Sequence, residues 1–132
     1  MDSAPRLRID PASTVPVVRQ ITDSLRVLFV EGRLAAGTAL PSVRRVAMEL
    51  GVHFNTVAEA YRILAAEGWL EVKQGRGAVL VARTAPALAS EAWREDFRSR
   101  LRALLAQMRA QGVPAARLAA ELRGVAKEVT RT

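Results

Sequence analysis

Arg44, Arg45, His53, Phe54, Asn55, Thr56 and Arg76 are the side chains whose types and spacing point to a chemistry. None of them forms a nucleophile–base pair. Between them they offer guanidinium forks, a carboxamide, a hydroxyl and two rings, which are groups that grip phosphates and read base edges. An arginine fork donates two parallel hydrogen bonds to phosphate or guanine, an asparagine amide matches adenine, and a phenyl ring or a threonine methyl meets the methyl of thymine. Each side chain also has a plainer use. Asn55 or Thr56 caps a helix, His53 sits in a solvated turn, Phe54 packs under the first helix, Arg44 and Arg45 line a solvated face, and Arg76 is a hairpin-tip charge.

Composition narrows the alternatives. The chain of 132 residues carries 20 basic and 13 acidic side chains, a formal charge of +7, and its only lysines are Lys73 and Lys127. The positive charge is therefore mostly arginine, which suits a polyanion. With no cysteine there is no disulfide, no thiolate and no cysteine metal site, and with His53 as the sole histidine there is no histidine pair. No cluster of carboxylates supplies an acid–base set, so neither an enzyme nor a bound cofactor nor a metal is expected. The start of the chain lacks the apolar run of a secretion signal, and no stretch approaches the ~20 apolar residues that span a bilayer. A soluble cytoplasmic protein without a membrane partner is expected.

The elements that must position these residues follow from periodicity. Asp10, Pro11, Ser13 and Thr14 mark a turn, with Thr14 as cap and Pro16 in the first turn of a helix. Val17, Val18, Ile21, Leu25, Leu28 and Phe29 recur in steps that share one face of that helix, and Gly32 closes it. Residues 33–40, with Gly37, read as a loop. Ser42 caps a short second helix that buries Val43, Val46, Ala47 and Leu50, Gly51 ends it in the left-handed region, and Val52 fits a buried turn position. A third helix runs from near Asn55 to Glu67 over Val57, Ala60, Tyr61 and Leu64, and Gly68 ends it. The pattern then alternates. Residues 69–73 and 78–81 read as two strands, with Gln74, Gly75, Arg76 and Gly77 as the hairpin tip. Residues 84–89 read as a linker. Ser90 caps a long helix beginning near Glu91 with an apolar stripe of Trp93, Phe97, Leu101, Leu104, Leu105 and Met108. Gly112 stops it, and Pro114 opens a last helix with Leu118, Leu122, Val125 and Val129 on one side.

The expected fold is mainly α with a small β-hairpin. A winged helix-turn-helix occupies residues 1–84, and a two-helix dimerisation segment occupies residues 85–132. In such a head the second helix of the pair enters the major groove N-terminus first, which aims His53, Phe54, Asn55 and Thr56 at DNA.

Several spaced positions agree with one family at once. Leu40, Pro41, Ser42 and Arg44, then Asn55, Thr56 and Val57, Ala60 and Tyr61, Leu64, Glu67 and Gly68, and Gly75, Arg76 and Gly77 resemble the GntR family of bacterial transcriptional regulators. Pro16, Val17, Gln20 and Ile21, with Gly32, Leu34 and Gly37, fit the same pattern. The resemblance covers residues 7–82, and the short remainder is most similar to the YtrA-like branch, whose members carry a small two-helix C-terminal part that serves in dimerisation. It implies a base or phosphate contact at Arg44, groove contacts at His53, Phe54, Asn55 and Thr56, and wing contacts at Gln74, Gly75 and Arg76. Ser42 and Arg45 complete the DNA-facing set. One departure stands out: family members often have a basic residue at the position of Ala58 or Glu59. Glu59 either accepts from a cytosine amino group or pairs with Arg62.

The stripe over Trp93, Phe97, Leu101, Leu104, Leu105 and Met108, with Leu118 and Leu122, is expected to pack against a second copy; the alternative is that it folds back on its own head. The expected function is a homodimeric, sequence-specific DNA-binding transcriptional repressor on a palindromic operator. The partners are double-stranded DNA and the chain itself, with a small-molecule effector left open. The competing reading is a winged-helix protein-interaction module.

Overall fold

The structure is a computed structural model that describes residues 7–73 and 77–131. The chain divides into two compact units, Met1–Thr84 and Ala85–Thr132.

In the first unit, α1 spans Val17–Val30, α2 Val43–Leu50 and α3 Phe54–Ala66, followed by β1 at Leu70–Lys73 and β2 at Gly77–Leu80. The apolar stripe of α1 buries Ile21, Leu25 and Phe29. Val17, Val18 and Leu28 pack partly against the core, and Thr22 is buried with its hydroxyl donating to the Arg19 carbonyl. The helix does not begin with a Thr14 cap. Pro16 stands at the N-cap without a side-chain hydrogen bond. The preceding turn is held instead by Gln20, whose Oε1 accepts the Asp10 N–H at 2.7 Å and whose Nε2 donates to the carbonyls of Asp10 and Val15.

Ser42 caps α2, its Oγ accepting the Arg45 N–H at 3.1 Å. Gly51 closes the helix at φ +70, where a side chain would be strained, and the next N–H, from Val52, returns to the Ala47 carbonyl. This sharp closure lets α3 start almost at once. Val57, Ala60, Tyr61 and Leu64 of α3 are buried against α1 and α2. Ile21, Val57 and Leu64 have the least exposure of the large side chains, and each contributes about 1.5–3 kcal/mol by leaving water. Gly68, at φ +91, turns the chain from α3 into β1.

The hairpin is antiparallel, with Leu70 opposite Leu80 and Lys73 opposite Gly77. Residues 33–40 are not simply a loop. Ala39 bridges Val79, the Leu40 N–H donates to the Ala78 carbonyl and the Leu80 N–H to that of Thr38. The stretch before Pro41 thus lies along β2 as a third edge, which supports a hairpin that would be marginal alone. Ala78 and Leu80 turn inward with Leu70.

In the second unit, α4 spans Trp93–Ala110 and α5 spans Ala115–Arg131. Ser90 does not cap α4: its Oγ takes the Ala92 N–H, and Ala92 occupies the N-cap. Glu95 and Asp96 in the first turn and Arg109 in the last complement the helix dipole. Gly112 and Pro114 separate the helices as the pattern predicts. Neither helix contains a buried residue. Leu101, Leu105, Met108 and Leu118 are half-buried, whereas Trp93, Phe97, Leu104 and Leu122 are exposed. No helix among the described residues is long and apolar enough to cross a membrane.

Candidate nucleic-acid interface

The candidate surface is built outward from a buried hydroxyl. Tyr61, on the inner side of α3, donates to the Pro41 carbonyl at 2.7 Å. That bond fixes the residue before the Ser42 cap, and with it the entry of α2, against the body of α3. Burial pushes the Tyr61 hydroxyl up to about 12, so it stays protonated and able to donate.

Arg44 and Arg45 follow the cap on exposed positions of α2. Arg44 makes no ion pair or hydrogen bond with any described residue through its side chain and is available to a ligand. Arg45 pairs with Glu49 one turn on, Nε to Oε2 at 3.2 Å. Both partners stand mostly in water, so the pair adds little to stability.

α3 begins one residue earlier than its pattern predicts, and neither Asn55 nor Thr56 is its cap. His53 holds the N-cap, its Nδ1 accepting the Asn55 N–H at 3.0 Å. The imidazole also stacks on Phe54, with ring centroids 5.2 Å apart. Phe54 does not pack under α1; it is 51% exposed. The Asn55 side chain is exposed and Thr56 half-buried. Along the same helix Glu59 and Arg62 are exposed, and no ion pair joins them. Gln74, Gly75 and Arg76 lie outside the described residues, but the strand ends that carry them, Lys73 and Gly77, are paired in register.

The rear of α3 is fastened by contacts between residues far apart in the chain. The Arg26 guanidinium of α1 makes a two-pronged pair with Glu67, Nε to Oε1 at 3.1 Å and Nη2 to Oε2 at 2.8 Å. This hydrogen bonding holds the Glu67 carboxyl below the usual carboxylate range despite partial desolvation. Arg83 donates from Nε to the Glu67 carbonyl at 2.8 Å and lays its guanidinium 4.4 Å from the Trp69 ring centre. A cation placed over the last carbonyls of α3 also suits the helix dipole. The roles of Gln20, Arg26 and Arg83 escaped the sequence reading. Gln20 stood out only as one position of the family pattern, and Arg26 and Arg83 look like ordinary charged side chains.

The family model described as bacterial regulatory proteins, gntR family, matches residues 17–80. The solved structure of YtrA from Sulfolobus acidocaldarius, a GntR-family transcription factor, matches at TM-score 0.57 and 34% identity, covering 76% of this chain and 97% of that one. The chain belongs to the GntR family. Among other members, the HTH-type transcriptional repressor YtrA of Bacillus subtilis is 39% identical over 71 residues, covering 54% of this chain and 55% of the relative. The GntR match thus spans about half the length of that relative. A transcriptional antiterminator from Listeria monocytogenes EGD-e has a solved structure with TM-score 0.64 and 26% identity, covering 97% of this chain and 92% of that chain. The winged-helix fold of this GntR head is shared with these structures, and the resemblance to the YtrA type extends to relatives in both comparisons.

Proposed function

We propose that this GntR-family chain is a homodimeric, sequence-specific DNA-binding transcriptional regulator that represses by occupying a palindromic operator in the cytoplasm. The observation that carries the reading is the exposed guanidinium of Arg44, which has no partner among the described residues, on a capped helix just ahead of α3, whose leading side chains His53, Phe54 and Asn55 are all exposed. A purely structural use would have buried Phe54 and Asn55 and paired Arg44, whereas His53 already serves as the cap of α3. Ser42, Arg44 and Arg45 grip the backbone or a base, His53, Phe54, Asn55 and Thr56 enter the major groove, and Gln74, Gly75 and Arg76 reach from the wing. The formal charge of +7 favours association with DNA.

The dimer is supported by α4 and α5. They have no buried residue and leave Trp93, Phe97 and Leu104 about half exposed, at 48%, 53% and 51%. A second copy covers this surface, with Leu101, Leu105, Met108, Leu118 and Leu122 joining the contact. A two-fold dimer reads half-sites about one helical turn apart, ~34 Å, which requires an inverted repeat. Repression has the support of the Bacillus subtilis relative, a named transcriptional repressor.

Selection of bound DNA from a random pool tests the reading. The expected result is one enriched inverted repeat, bound with an affinity that falls steeply as salt rises because phosphate contacts release counterions. A pool without sequence enrichment, or binding indifferent to salt, overturns it in favour of a protein-interaction module.

A further inference from the structure

Phe54 is the first residue of α3, and its ring stands half in water. It is absent from the apolar side chains that pack against the core. Yet it is not loose. The His53 ring lies along it with planes 24° from parallel, and His53 is itself tethered through Nδ1 to the Asn55 N–H. The phenyl ring is thus an exposed apolar surface at the start of α3, with the His53 ring stacked against it. It is flanked in sequence by His53 and Asn55, which supply hydrogen-bonding groups, and the nearby Thr56 methyl is less accessible because Thr56 is half-buried. In the major groove the four base pairs present a single apolar group, the C5 methyl of thymine.

We propose that Phe54 is a specificity-determining residue whose ring packs against a pyrimidine 5-methyl group, that of thymine, at one position in each operator half-site. The inference rests on the DNA-binding reading above. The ring senses the methyl group rather than the hydrogen-bonding edge. 5-Methylcytosine offers the same group, and cytosine or uracil does not.

The experiment uses the full chain and the operator recovered from the random pool. Thymines are replaced one at a time by deoxyuridine, which keeps every hydrogen-bonding group and removes only the methyl. The expected result is one sensitive position per half-site, with about four-fold weaker binding for one substitution and about fifteen-fold for both, the effect of one methylene-sized group left in water at each. Phe54→Ala, checked for folding by circular dichroism, binds the thymine and deoxyuridine operators equally. At the sensitive position a C·G pair binds weakly, and methylating that cytosine at C5 restores about four-fold. If the native chain binds every deoxyuridine operator as tightly as the parent, the methyl contact is wrong while the DNA-binding reading stands. Phe54→Ala retaining the full deoxyuridine penalty assigns the methyl to another residue and also overturns the contact. A pool that yields no operator overturns the DNA-binding reading and this contact with it.

Discussion

Arg44 and Tyr61 show how a single side chain is fitted to one task. Arg44 is exposed and has no partner among the described residues, so its removal leaves the core untouched. Arg44→Ala is expected to weaken operator binding by about 1–3 kcal/mol if the guanidinium reads a base, or to flatten the salt dependence by about one counterion if it grips phosphate. Titrations at several salt concentrations separate the two outcomes, and unchanged affinity and slope remove Arg44 from the interface. Tyr61 is the opposite case, buried and satisfied by the Pro41 carbonyl. Tyr61→Phe strands that carbonyl and is expected to cost about 1 kcal/mol in urea unfolding. Because burial raises its hydroxyl to about 12, the bond's contribution is fully present below the unfolded value of about 10 and is lost as pH rises through about 12. At this scale the sequence showed which residue types were available but not their partners. His53 looked like a turn residue and is the cap, because only the local geometry decides which side chain meets the first free N–H.

Helices α1, α2 and α3 were legible because burial on one face imposes a period that survives in the sequence. The ties between them were not. Arg26 and Glu67 are 41 residues apart and meet only after α1 and α3 have packed. Glu67→Gln is expected to destabilise the head by about 0.5–1 kcal/mol at neutral pH, a value discounted for solvent screening because both side chains are 35% exposed. The folded-state carboxyl is depressed, chiefly by the Arg26 hydrogen bond. Its contribution is therefore present above the unfolded value of about 4.3 and disappears as pH falls through the lower folded value. Denaturation curves of the two proteins should converge as the pH drops below about 4; a gap that persists there contradicts the assignment. The third edge at Thr38 and Ala39 was likewise hidden. A short stretch beside Gly37 carries no alternation, and its strand character comes entirely from lying along β2.

For the whole molecule the decisive contrast is between a head with a closed core and a second unit with none. Ile21, Val57 and Leu64 are sealed within the first unit, whereas α4 and α5 bury nothing completely. Trp93 and Phe97, with ring centroids 6.1 Å apart, are the two aromatic residues of the uncovered stripe. The double substitution Trp93→Ala with Phe97→Ala is expected to give monomers in sedimentation. It should also weaken operator binding at least tenfold, since two linked heads bind far more tightly than one. A species of undiminished dimer mass refutes the proposed interface.

The sequence by itself determined the helix-turn-helix and hairpin order, the inner faces of the three head helices, the Ser42 cap, the Gly51 turn and the family, because burial, capping and positive φ each constrain residue type at a fixed spacing. The tertiary structure decided the rest: which stretch pairs with β2, that Gln20 pins the preceding turn, that Arg26 and Arg83 fasten the end of α3, and that Phe54 faces water rather than the core. Those outcomes depend on backbone hydrogen bonds and side-chain pairs between distant residues. Such pairs leave no period in the sequence, since either partner alone looks like an ordinary polar or apolar residue.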